Sequence, residues 1–309
     1  MDIGHRTGRT VPADLEEFRQ DWLVADPASS LESMIAKFDR ARRMWCDPHA
    51  ITQLTREAIH DAAAQNVKLI EFRYAPTFIL KDQDNLSYEI IHNAILEGVA
   101  QGTRECDIAV GLIGIIMRSA PKTVCDGVAD FIIANADTFC AIDIADAEIG
   151  YPGRDFLPYF ERARAAGLHT TAHAGEINDD ESRRNVREAI ELLGVERIGH
   201  GVHAHSDPAL VELLASSDVV LEVCPTSNVL TGAFEHISQH PLADLIRQGV
   251  RTTINTDDPS LFGIDWNFEY QVAQTELGLT DAQLYQCTAT ALAASFLPEA
   301  QHIDLGPAP

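Results

Sequence analysis

Along this chain, short runs rich in β-branched residues alternate with stretches of helix length and helical periodicity. The runs at 67–74, 106–117, 138–145, 168–173, 197–200, 219–223 and 251–256 have the length and composition of strands. Between them, 50–66, 88–105, 153–166, 181–193 and 208–215 read as amphipathic helices, most closed by Gly or Asn before the next run. Such alternation predicts parallel strands joined by crossover helices. A doubly wound sheet would be marked by a Gly-rich phosphate loop after a strand, and the sequence has none. The pattern therefore predicts an α/β fold, a TIM-type (β/α)8 barrel.

Composition narrows the class of function. A chain of 309 residues, 46% hydrophobic and 23% charged, can bury one large core, so residues 1–309 are expected to form a single domain. The first dozen residues and the tail Gly306-Pro307-Ala308-Pro309 are expected to be poorly ordered. A formal charge of −24 would repel polyanions, which argues against nucleic-acid polymers and anionic membranes as partners. The six Cys (46, 106, 125, 140, 224, 287) form no C-x-x-C pair and suit a reducing compartment. No apolar run approaches 18 residues and the opening MDIGHRTGR is unlike a signal peptide, so a cytoplasmic protein is expected.

The unusual polar residues fall at the C-terminal ends of successive predicted strands, the active-site face of such a barrel. Four of these ends carry Thr171-Ala172-His173-Ala174-Gly175-Glu176, Gly199-His200-Gly201, Glu222-Val223-Cys224-Pro225-Thr226-Ser227-Asn228 and Asn255-Thr256-Asp257-Asp258-Pro259. Singly, each has an ordinary structural explanation. A His after a strand is commonly a hydrogen-bonded structural residue, Asp-Asp-Pro is a common turn or helix cap, and Gly-His-Gly can simply let two backbones approach. Together they assemble two His, a Glu and two adjacent Asp, a ligand and proton-transfer set suited to a hydrolytic zinc.

His-Ala-Gly-Glu, Gly-His-Gly, Pro-Thr-Ser-Asn and Thr-Asp-Asp-Pro, in this order and spacing, resemble the adenosine deaminase family. The likeness covers nearly the whole chain, including Ser30-Leu31, Ala36-Lys37-Phe38-Asp39, Glu71-Phe72-Arg73-Tyr74-Ala75-Pro76, Gly111-Leu112-Ile113, Asp143-Ile144-Ala145 and Ala294-Ser295-Phe296. The resemblance implies a zinc-dependent aminohydrolase acting on a small purine nucleoside, adenosine or a close 6-aminopurine relative, in purine salvage. It implies His173 and Asp257 as zinc ligands, Glu176 as the proton donor to purine N1, and His200 as the group that orients and deprotonates the attacking water. Asp258 would hydrogen-bond N7, and Gly175 and Asp146 would also face the substrate. Leu31, Met34, Ile35 and Phe38 would wall or gate the base, although their helical spacing equally suits an ordinary core stripe.

Two departures from the family pattern matter. Family members carry a His-x-His pair on the first barrel strand, and this chain has neither that pair nor the acidic residue after it. Its opening resembles the stretch after the family's first helix, so the first strand and helix are expected to be missing and the barrel open at its second and eighth strands. Two ligands are fewer than a catalytic zinc normally takes from protein. His203 or His205 would be candidates to complete the set. A metal-poor relative that binds purine or a partner protein without turnover is the alternative function, and retention of Glu176, His200 and Asp258 argues against it. Second, Asp146 stands where the family typically has Gly, whose N–H meets purine N3, so a carboxylate enters the expected pocket. That substitution leaves a modified adenosine such as aminodeoxyfutalosine open as the substrate.

Overall fold

The computed structural model describes the chain except residues 1, 9–10, 13 and 25–30, and for residues 31–35 it describes the backbone only. Seven strands appear among the described residues: β1 (Leu69–Tyr74), β2 (Ala109–Met117), β3 (Ala141–Ala145), β4 (His169–Ala174), β5 (Arg197–His200), β6 (Val220–Val223) and β7 (Thr252–Ile254). They pair in sequence order, all parallel, and β1 and β7 form the two edges of the sheet. Each falls on one of the predicted runs. The helices Tyr88–Glu105, Lys122–Ala134, Leu157–Ala165, Asp180–Glu188, Pro208–Ser216 and Leu242–Arg247 supply the six crossovers, and Pro48–Ala64 leads into β1. The fold is thus α/β of the TIM type.

The sheet curls, and its own side chains show how far. In a flat sheet β1 and β6 would stand about 24 Å apart, at about 4.8 Å per strand. Yet Arg73 of β1 reaches Glu222 of β6 at 2.7 Å, and Arg197 of β5 meets Glu71 of β1 at 2.6 Å. The concave interior is therefore narrow enough to be filled by side chains. Glu71 and Arg73 are two residues apart in β1, so both project to this inner face. The outward face is apolar, with Leu112, Ile116, Ile142, Ile144, Ile198 and Leu221 buried against the helices.

The end of the sheet at which the strands begin is closed by the C-terminal segment. Glu71 accepts hydrogen bonds from the Ser295 hydroxyl and the Phe296 N–H, each 2.7 Å, while the Arg197 guanidinium lies over the Phe296 ring at 3.6 Å. The opposite end is left for chemistry.

The N-terminal expectation needs correcting at its start. Asp2–Arg6 is helical because Ile3 finds an apolar seat against Cys46 and Ala50, and Arg6 pairs with Asp47 at 3.2 Å. All six cysteines are free. Among the described residues no helix is long and apolar enough to cross a membrane.

Candidate active site

The strand ends on the open face share a strained backbone. Asp146 after β3, His200 at the end of β5 and Asp257 after β7 all have left-handed φ, at 81°, 61° and 57°. Non-glycine residues seldom adopt this conformation, and where it recurs at one end of a sheet it aims side chains that an extended strand would send elsewhere. Gly175 after β4 and Gly201 after β5 share it, at 77° and 69°. A Cβ on Gly175 would come within 3.0 Å of the Gly201 Cα, so the two loops touch backbone to backbone. The contact is clamped by Gly201 N–H to the Ala174 carbonyl and His203 N–H to the Gly175 carbonyl, both 2.9 Å.

This geometry brings His173, Glu176, His200, Asp257 and Asp258 together. The His173 and His200 rings are 5.2 Å apart, and His200 Nε2 lies 3.6 Å from Glu176 Oε2 and 4.0 Å from Asp257 Oδ2. Thr231 donates to the other oxygen of Glu176 at 3.3 Å, which leaves Oε2 turned to His200. Ser227 donates to Asp257 Oδ2 at 2.6 Å and fixes that carboxylate. Asp258 is crowded by protein and, next, repelled by the Asp257 carboxylate, and its pKa is pushed up to about 8.

Behind His173 stands a buried ionic network. Its Nδ1 meets Asp143, with an Oδ1 contact of 3.2 Å and an Oδ2 contact of 3.0 Å, so Nε2 is free to face the cleft. Arg73 bridges Asp143 at 3.0 Å and Glu222 at 2.7 Å, and Glu222 in turn approaches Arg197 at 2.9 Å. Burial opposes charge on each carboxylate, but His173 and Arg73 hold Asp143 below the usual range, and Arg73 and Arg197 do the same for Glu222. Burial likewise opposes charge on His173, and Asp143 outweighs it, so its pKa is raised. Gly199 on the neighbouring strand makes room: a Cβ there would stand 3.0–3.1 Å from three atoms of the His173 ring.

These residues can be tested against a metal. A histidine whose far nitrogen is held by a carboxylate is the usual setting of a metal-binding imidazole, and Asp257 is a fixed, outward-turned oxygen donor. Cys224 at the end of β6 adds a sulfur. Ligand atoms of His200, Cys224 and Asp257 lie within 4.8 Å of one another. The donor types fit a zinc-like cation. His203 and His205 are placed elsewhere, with His203 stacked on Phe234 at 4.8 Å and His205 bonded to the Val202 carbonyl.

Asp146 is exposed on the same face and accepts a hydrogen bond from the Ser119 hydroxyl. Phe38 packs beside Val24, Leu230, Leu261 and Phe262, with its ring 6.4 Å from that of Phe262 in the short helix Pro259–Phe262 after β7. The side chains of Leu31, Met34 and Ile35 lie outside the described residues, although their backbone belongs to the helix Leu31–Arg42. Arg73, Cys224, Ser227, Asn228 and His240 were given no individual role on sequence grounds. For Arg73 a signal was there: two charges at Glu71 and Arg73, alternating with apolar residues, mark a polar inner face. His240, twelve residues beyond Asn228 and outside any strand end, carried none.

Known proteins resemble this chain along nearly its whole length. The family model described as "Adenosine deaminase" matches residues 1–306. The chain is 38% identical to an adenosine deaminase of Serratia proteamaculans, over 97% of this chain and 89% of that protein. Among solved structures, it is similar to an adenine deaminase from Arthrobacter aurescens with a TM-score of 0.86 and 26% identity, covering 97% of this chain and 89% of that one. An amidohydrolase from Burkholderia ambifaria with bound Zn gives a TM-score of 0.83 and 27% identity, covering 97% and 82%. With a family model across nearly its full length and a relative of 38% identity, the chain belongs to the adenosine deaminase family and is an aminohydrolase of that kind.

Proposed function

We propose that the site performs zinc-dependent hydrolytic deamination of adenosine or a closely related 6-aminopurine nucleoside, replacing the exocyclic amine by hydroxyl and releasing ammonia, as a step of purine salvage. The observation that carries this reading is the approach of His200 Nε2 to Glu176 at 3.6 Å and to Asp257 at 4.0 Å at the C-terminal ends of the strands, backed by His173 held through Asp143. A binding module has no need of a proton donor beside a metal-type donor set, so this arrangement favours turnover over simple purine binding.

His173, through Nε2, and Asp257 would hold the metal, which when bound lowers the pKa of water towards neutrality. The chain's own residues do the rest. Glu176 delivers a proton to purine N1, which localises the C6=N double bond as an electrophile. His200, beside both Glu176 and Asp257, holds the attacking water. Asp258 meets N7, and the Gly175 backbone and Phe38 border the base. Asp146, kept on the rim by Ser119, adds negative charge where a sugar would sit, which suits an uncharged nucleoside better than a 5′-phosphate.

The test is Glu176→Gln. It should lose most turnover while retaining zinc and purine, because the amide cannot pass the N1 proton. Asp257→Ala should do the reverse and lose metal first. Zinc lost in step with activity in the Gln variant would mean that Glu176 is a ligand and not the acid.

A further inference from the structure

A chain of buried hydrogen bonds runs from the back of His200 to a helix terminus, and its direction can be read. The helix Leu242–Arg247 begins after Pro241, and the Leu242 N–H donates to His240 Nδ1 at 3.3 Å. A backbone amide can only donate, so His240 Nδ1 carries a lone pair and the neutral ring has its proton on Nε2. That Nε2 lies 3.1 Å from Asn228 Oδ1, which accepts. The Asn228 amide is thereby oriented, and its Nδ2 donates to His200 Nδ1 at 3.1 Å. The same logic then applies to His200: its Nδ1 is an acceptor, and in the neutral ring the proton sits on Nε2, pointing at Glu176 and Asp257.

Nothing around the relay reverses it. His200, Asn228 and His240 are 3%, 0% and 5% exposed, so water has little access to substitute for a member. Burial, together with His205, His200 and His203, drives His240 down to about 3, so it stays neutral and keeps one lone pair. Turning the Asn228 amide over would set its N–H against the Nε2–H of His240 and leave two buried donors facing each other.

We propose that Asn228 and His240 are positioning residues that lock neutral His200 in its Nε2–H tautomer, so that this ring acts in the site as a hydrogen-bond donor and offers no lone pair to a metal or to a proton. Of the two tasks expected of His200, orienting the water is kept, and taking its proton passes to Glu176, 3.6 Å from His200, which is a carboxylate once N1 is protonated and can hand that proton on to the departing amine. Cys224 and Asp257 then lose His200 as a companion ligand, and His173 is the only imidazole left to the metal among the described residues near them. The consequence for catalysis rests on the proposed deamination, whereas the tautomer itself does not.

The experiment is long-range 1H–15N NMR of the 15N-histidine-labelled protein, with the His200 signals identified by their loss in His200→Gln. The expected result is a protonated Nε2 and an unprotonated Nδ1 for His200. Asn228→Asp should invert this, because a carboxylate only accepts and therefore selects Nδ1–H. His240→Phe should leave His200 a mixture of tautomers, and His240→Gln, whose amide can donate to Asn228 Oδ1, should restore the original one. A wild-type His200 protonated at Nδ1, or an unchanged His200 in Asn228→Asp that is folded by circular dichroism, would overturn the proposal. In turnover, Asn228→Asp should lower kcat at least about tenfold with KM little altered. An inverted tautomer with kcat unchanged would overturn the catalytic half alone. Absence of purine turnover in the wild type would instead count against the deaminase reading and leave the tautomer result standing.

Discussion

Glu269 provides a test of how burial sets stability here. It lies on the helix Trp266–Thr275, is 0% exposed, and accepts a bond of 3.3 Å from the Thr226 N–H through Oε2, while Oε1 has no partner among the described residues. Burial is the main reason its pKa is pushed up to about 7 from an ordinary 4.5. Because the folded state holds this proton more tightly than the unfolded chain, stability falls as pH rises from about 4.5 to about 7 and the full loss is present above that range. A shift of about 2.5 units at 1.36 kcal/mol each corresponds to about 3 kcal/mol. Glu269→Gln keeps the acceptor for Thr226 and cannot ionise. It should therefore match the wild type near pH 5 and exceed it at pH 8 by up to about 3 kcal/mol, less whatever the new amide N–H loses if unpaired. Urea unfolding at both pH values measures the difference. Equal stability of the two proteins at pH 8, or an advantage that does not grow between pH 5 and pH 8, would refute the reasoning.

Three further outcomes are expected. Arg73→Met leaves Asp143 and Glu222 short of their shared cation and should destabilise by about 3 kcal/mol near neutral pH, with Arg73→Lys intermediate because an ammonium is a point charge and matches the two carboxylates less well; denaturant midpoints at pH 7 measure it. Gly199→Ala pushes a methyl to 3.0–3.1 Å from the His173 ring and should cost about 1–3 kcal/mol in stability, together with a loss of zinc affinity read by competition with a chelator. Asp146→Gly should shift the ranking of kcat/KM towards plain adenosine over 5′-modified analogues, and an unchanged ranking would mean that the rim carboxylate plays no part in selection.

Much of this arrangement was legible in the residues. The strands were legible because each is a short β-branched run between helices, and parallel pairing follows from that alternation. The cluster at the strand ends was legible because His173, His200, Asp257 and Asp258 interrupt apolar segments at corresponding positions. What escaped was the supporting layer. Arg73 and Glu222 belong to strands β1 and β6 and become partners only because the sheet curls, which periodicity along one strand does not express. His240 sits in a connection after the short helical turn Ile237–Gln239, and its tie to Asn228 is a tertiary fact. The left-handed turns at His200 and Asp257 were hidden as well, since His and Asp adopt φ > 0 more often than most side chains but still too rarely to mark it as glycine does. The helix at Asp2–Arg6 was missed because a single buried Ile decides it.

The measurement that bears most directly on the central claim is ammonia release from adenosine by the zinc-supplemented protein, followed together with the absorbance change of adenosine to inosine and repeated after chelation. The account predicts one ammonia per adenosine converted, activity lost on removing the metal and regained with zinc, and the same turnover all but abolished in Glu176→Gln while purine still binds. Stoichiometric zinc with no release of ammonia from adenosine, 2′-deoxyadenosine or any other 6-aminopurine nucleoside would contradict it.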